Sequence, residues 1–174
     1  WTYRISSIVL FSPRTYLRLC ELYNDAIWPL QIVALTAAIA LVVTARAPGR
    51  SASRMIPLVL AAMWLFVACA FHHRRYATIN WAAEYFAIAF VVQALLLAWC
   101  GVTGRLDFGG LASWRQRAAV AIVAFALFGA PLLEWLAGRD VRQLEAFGTA
   151  PDPLAIGTLG FLLFTCDAPG WSLL

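Results

Sequence analysis

Two glutamates, Glu84 and Glu134, stand inside apolar runs, and His72, His73, Arg74 and Arg75 stand together just outside one. A carboxylate within hydrocarbon costs on the order of 3 kcal/mol unless it is paired, protonated or wet. Such residues therefore mark ion pathways, ligand sites or helix-locking ion pairs. Imidazole suits haem or (bacterio)chlorophyll iron or magnesium as an axial ligand. Adjacent residues on a helix, however, point about 100° apart, and the chain has no third histidine. Only a single axial ligand, through His72 or His73, stays open beside simple hydrogen bonding. Cys20, Cys69, Cys100 and Cys166 are far apart, without the spacing of a zinc site. They read as small packing residues. No HExxH pair and no Ser/His/Asp or Cys/His set is present. The chemistry-bearing residues thus imply no metal, no resident cofactor and a non-enzymatic protein.

The elements that must position them are apolar. Of the residues, 63% are hydrophobic and 13% charged, and the mean hydropathy is +0.77. These values indicate an integral membrane protein. The net charge of +4 is spread over short segments, which argues against a nucleic-acid partner. A bilayer core needs about 20 apolar residues of helix. Four runs approach that length: Ala26 to Ala45, Met55 to Phe71, Ile79 to Trp99 and Ala118 to Ala137. A fifth, Leu154 to Cys166, is about 13 residues long and too short to span alone. Before them, Ser12 as N-cap and Pro13 at the first helical position predict an interfacial amphipathic helix. The fold class expected is all-α: a polytopic transmembrane bundle of about five membrane segments plus that helix. It forms one domain over residues 1–174, with an arm at 1–25 and the bundle at 26–174.

Tryptophans prefer the headgroup level. Trp28, Trp81 and Trp135 would mark one face, called side A, and Trp99 and Trp114 the other, side B; Trp64 falls mid-span as a packing residue. Arginine in the short loops leans toward a cytoplasmic side B and a multi-pass protein of the bacterial inner membrane. With helix directions fixed, Gln31, Glu84 and Glu134 each lie about four or five residues in from side A. His72, His73, Arg74, Arg75, Asn80, Arg139 and Asp152 lie above them. Asn80 and Glu84 are four apart on one helix face. Together these residues predict a polar pocket opening on side A. The same carboxylates could instead pair with Arg74, Arg75 or Arg139 and lock helices together. Pro131, three residues before Glu134, predicts a kink, and Gly157 and Gly160 predict close helix contact in the last segment.

The stretches "ELYNDAIWPLQ", "FHHRRYATIN", "INWAAEYFAIAFVVQALLLAW" and "FGTAPDPLAIGTLGFLL" occur in this order. In that pattern the chain resembles the bacterial integral-membrane family known as domain of unknown function 6064, from about Phe11 onward. The family pattern has a cysteine between the two prolines where this chain has Asp152, which puts any role for that cysteine in doubt here. The resemblance implies a multi-helix membrane protein that continues through a further helix after "PGW", and it implies no activity. The opening Trp1 and the turn at Asp167 to Gly170, followed by "WSLL", carry the same expectation of a longer natural chain.

Three functions compete. Small-residue pairs, Ala34/Ala38 and Ala83/Ala87, permit close packing and favour an accessory or structural subunit of a larger membrane complex, with lipid and other subunits as partners. Glu84, Glu134 and Gln31 at one depth favour a small transporter or channel. His72 or His73 leaves room for a pigment- or haem-binding protein.

Overall fold

A computed structural model describes residues 11–46, 49–109 and 113–165. Cys166 and the turn at Asp167 lie outside them. Seven α-helices follow in order: α1 (Pro13–Ile27), α2 (Leu30–Ala45), α3 (Arg50–Phe66), α4 (Ala83–Thr103), α5 (Ser113–Ala124), α6 (Ala130–Leu136) and α7 (Pro151–Leu163). Among the described residues the only β pairing is an isolated antiparallel bridge between Phe108 and Thr165.

The expected spans are revised in number and in bounds. Three helical stretches are long and apolar enough to cross a membrane: Arg50–Thr78, Ala83–Thr103 and Trp114–Leu136; a fourth is reached only if α1 and α2 count as one bent span. The run expected at Ala26 to Ala45 breaks at Trp28–Pro29, where the two helices meet at 81°. Proline cannot donate the backbone hydrogen bond that would continue α1. What remains, α2, has 16 residues, about 24 Å at the α-helical rise. The stretch begun by α3 runs past Phe71 through a π turn, Val67–His73, and a short 3-10 turn, Tyr76–Thr78. The next begins at Ala83 instead of Ile79, because the Asn80 side chain accepts the Ala82 N–H at 3.1 Å and holds the chain in a turn. The kink expected at Pro131 is a π turn, Phe125–Gly129, between α5 and α6. The wider turn accommodates a proline that would otherwise press on the carbonyl four residues back.

The core lies between α3, α5 and α7. Ile56, Leu60, Val67, Val123, Leu154 and Phe161 are all essentially inaccessible. At 13 residues α7 is short, and it is held inside the bundle by close approach and one polar contact. The Trp64 indole N–H donates to the Thr158 hydroxyl at 2.9 Å. A Cβ at Gly160 would stand 2.6 Å from a Val123 methyl and 3.0 Å from its backbone nitrogen. Ala34, Ala38, Leu41 and Ala45 form the buried stripe of α2, and Ala83, Ala87, Ala94 and Leu97 that of α4. The alanine pairs are therefore consumed by packing within the chain.

Gly160→Ala should push α7 off α5 and lower the stability of the solubilised protein by about 1–3 kcal/mol, the usual cost of overpacking. Gly49→Ala, which meets nothing within 4 Å, should leave it unchanged. Thermal unfolding in detergent reads both.

Candidate functional site

The polar residues gather where α1, the segment between α6 and α7, and the end of α3 meet. The Ser12 side chain accepts the Thr15 N–H and Pro13 occupies the first turn, so α1 starts cleanly. Helical spacing then puts Tyr16, Cys20 and Tyr23 on one face, with Cys20 and Tyr23 each 2% exposed. This face straps the 137–150 segment. The Tyr16 hydroxyl donates to Glu145 Oε1 at 2.9 Å, and that of Tyr23 to the Thr149 carbonyl at 2.7 Å. Asn24 Nδ2 donates to the carbonyls of Arg142 (2.8 Å) and Leu144 (2.9 Å). Gln31 Nε2 donates to the Asn24 carbonyl at 3.0 Å. Asp140 caps the short turn Val141–Gln143 reciprocally with the Gln143 side chain. Gly148 then turns the chain at φ +81°, and a side chain there would strike Ala34 and Met63.

At the centre is an ionic triad. Arg139 Nη1 lies 3.0 Å from Glu134 Oε1 and 3.4 Å from Glu145 Oε1. Glu134 Oε2 accepts the Glu145 backbone N–H at 2.8 Å. Glu145 is 5% exposed, and its Oε2 is buried without a partner. Burial pushes the Glu145 carboxyl above the usual range. The Tyr16 hydroxyl and Arg139 pull it back, while Glu134 and Asp152 push it further.

Beside the triad lies a pocket of about 530 Å³. Tyr16, Arg139, Glu145 and Asp152 form its polar wall, and Phe11, Phe71, Tyr76, Phe86 and Phe90 its aromatic one. His72 stands among those rings, 4% exposed, with its ring centroid 4.6 Å from that of Phe90 and 5.4 Å from that of Phe71. Neither of its nitrogens has a partner. A second pocket of about 420 Å³ on the other side of the segment is lined by Gln31, Pro131 and Glu145.

The residues expected in one pocket are thus divided. Gln31, His72, Glu134, Arg139 and Asp152 gather around the Leu144–Ala146 stretch. Glu84 does not: it accepts from His73 Nδ1 at 3.0 Å, with both side chains about half exposed or more (49% and 64%). The reason is helix facing: the inner stripe of α4 falls on Ala83 and Ala87, and Glu84, one residue on from Ala83, points about 100° away from it. Asn80 works as a turn residue. Arg74 and Arg75 line a different groove, with Arg14 and Arg18 of α1. Among the described residues no group of three His, Cys, Asp or Glu could hold a metal ion.

Sequence reasoning missed Glu145, Tyr16 and Tyr76. Glu145 sits in a loop stretch that reads as ordinary solvated chain. Its signal was the company of Leu144, Ala146 and Phe147, apolar neighbours that draw a loop inward.

The sequence model described as "Family of unknown function (DUF6064)" matches residues 14–174. The chain belongs to this family. No curated protein and no solved structure matches the chain. The triad of this family member lies wholly within the matched residues, and so does its pocket, Phe11 apart.

Arg139→Gln leaves two carboxyls without their cation and should cost about 3 kcal/mol of stability. Arg142→Gln, whose exposed partner Asp25 is 3.8 Å away, should cost less than about 1 kcal/mol. Chemical unfolding in detergent separates them.

Glu145 also sets a pH dependence. Its folded-state affinity for the proton is raised, so its stabilising contribution is full below the unfolded carboxyl value and is lost as pH rises through the folded one. Stability of the wild type should fall across that interval, and Glu145→Gln, which mimics the protonated form, should flatten the profile. An unchanged profile would show that Glu145 is not the titrating group.

Proposed function

We propose that this family member is a non-enzymatic, multi-pass protein of the bacterial inner membrane. In this reading it holds a small molecule in the pocket beside the triad and acts as an accessory subunit of a larger membrane complex. Three stretches long and apolar enough to cross a bilayer support the membrane placement. The observation that carries the binding function is that the polar pocket has an end. Beneath it the buried core is Ile56, Leu60, Val67, Val123, Leu154 and Phe161, and among the buried described residues the only charged side chain is Glu145. Such a pocket admits a ligand and gives it no exit on the far side.

The pocket's chemistry narrows the ligand to a small amphipathic molecule. Its apolar part would lie on the phenylalanine wall, and its polar head would meet Asp152 and Arg139. The pigment and haem reading would rest on His73 alone: both nitrogens of His72 are covered, whereas Glu84 engages only Nδ1 of His73. The alanine pairs, buried within the chain, lend nothing to the subunit assignment. That assignment rests on the lack of a complete catalytic set.

The discriminating measurement is flux. Proteoliposomes holding the full chain and a pH-sensitive dye should show no more proton leak than empty vesicles under an imposed gradient. Leak abolished by Glu134→Gln would replace the proposal with the transporter reading. After mild detergent extraction the protein should migrate with other subunits in a fixed ratio, and migration alone would remove the subunit assignment.

A further inference from the structure

The outer side of α1 carries a second polar site with the opposite charge. Arg14 and Arg18, one turn apart on α1, face Arg74 and Arg75, just past the π turn Val67–His73, across a groove of about 540 Å³. Leu19 and Ile79 belong to its apolar lining. Of the four arginines only Arg18 has an acidic partner among the described residues, Glu21 at 2.6 Å. Arg14, Arg74 and Arg75 have none, although arginine forks pair readily with any carboxylate in reach. Guanidinium groups held together repel one another, so a cluster with three of its four members unneutralised over an apolar lining is built for an anion with an apolar tail.

We infer that this groove is a binding site for an anionic phospholipid, whose phosphate lies between Arg14 of α1 and the Arg74–Arg75 pair while its acyl chains follow Leu19 and Ile79. The inference rests on the membrane reading above. Guanidinium binds phosphate through two parallel N–H···O bonds. An amphipathic helix set at 81° to the apolar helix that follows it lies where headgroups would be. Free phosphate would satisfy the arginines but would leave the apolar lining unused.

The test uses the full chain in nanodiscs and in neutral detergent. Native mass spectrometry after detergent exchange should find phosphatidylglycerol retained about tenfold over phosphatidylcholine, the discrimination expected of a charge-assisted pair. Arg74→Gln with Arg75→Gln should remove that preference, and Arg14→Gln alone should weaken it. Arg50→Gln with Arg54→Gln, outside the groove, should leave it intact. If the double variant fails to fold, judged by its unfolding transition, Arg14→Gln carries the decision. Equal retention of both lipids, or equal loss in the Arg50/Arg54 control, overturns the site. Displacement of the lipid by millimolar inorganic phosphate would show a free-anion site and overturn the lipid assignment. Alkaline carbonate washing of membranes separates the two levels: release of the chain would sink the membrane reading itself, whereas retention without lipid preference sinks only this inference.

Discussion

A buried carboxyl at one end of an apolar bundle is the constraint on which this structure turns. Withdrawing Glu145 from water carries a desolvation cost that its partners must offset. The surrounding chain engages the residue from three directions and leaves Oε2 buried without a partner. Tyr16 donates from α1, Arg139 reaches back from the end of α6, and Glu134 accepts the Glu145 backbone N–H. They come from α1, from α6 and from the segment that follows it. The Tyr23, Asn24 and Gln31 bonds then close the strap by engaging the loop and the end of α1.

That arrangement fixes how α7 enters. The segment leaves Glu145, turns at Gly148 against Ala34 and Met63, and starts α7 at Pro151 directly beside the triad. From there the helix descends into the core, where the lack of a side chain at Gly160 allows contact with the Val123 backbone. A short helix held this way closes the bundle from within with Leu154 and Phe161 and gives the pocket Pro151, Asp152 and Ala155 from its first turns. The polar end and the apolar core are thus two consequences of one chain path.

Helix α1 separates two charge environments by its own periodicity. Tyr16, Cys20 and Tyr23 recur toward the carboxyl-rich pocket, while Arg14 and Arg18 recur toward the arginines of the 74–75 turn. An acidic, aromatic pocket and a basic, half-apolar groove therefore lie on opposite flanks of one helix of 15 residues. This is the reason the arginines expected to pair with Glu134 do not all serve it: Arg139 does, and Arg74 and Arg75 face away.

The sequence by itself determined the all-helical class, the apolar stretches and the family, because hydropathy and helix-compatible runs are local properties that survive any tertiary arrangement. It also determined the N-terminus of α1 through Ser12 and Pro13, the close approach at Gly160, and that Gln31, Glu134, Arg139 and Asp152 belong to one end. What only the tertiary structure decided was helix facing and loop path. The packing of Ala83 and Ala87 against the bundle turned Glu84 outward, since it follows Ala83 by one residue and so points about 100° away from that inner stripe. The 81° break at Trp28–Pro29 shortened a spanning run into two helices, and the inward fold of residues 140–150 buried a glutamate that local sequence presents as solvated. Burial of a loop residue depends on which elements converge on it, and that convergence is a property of the whole chain.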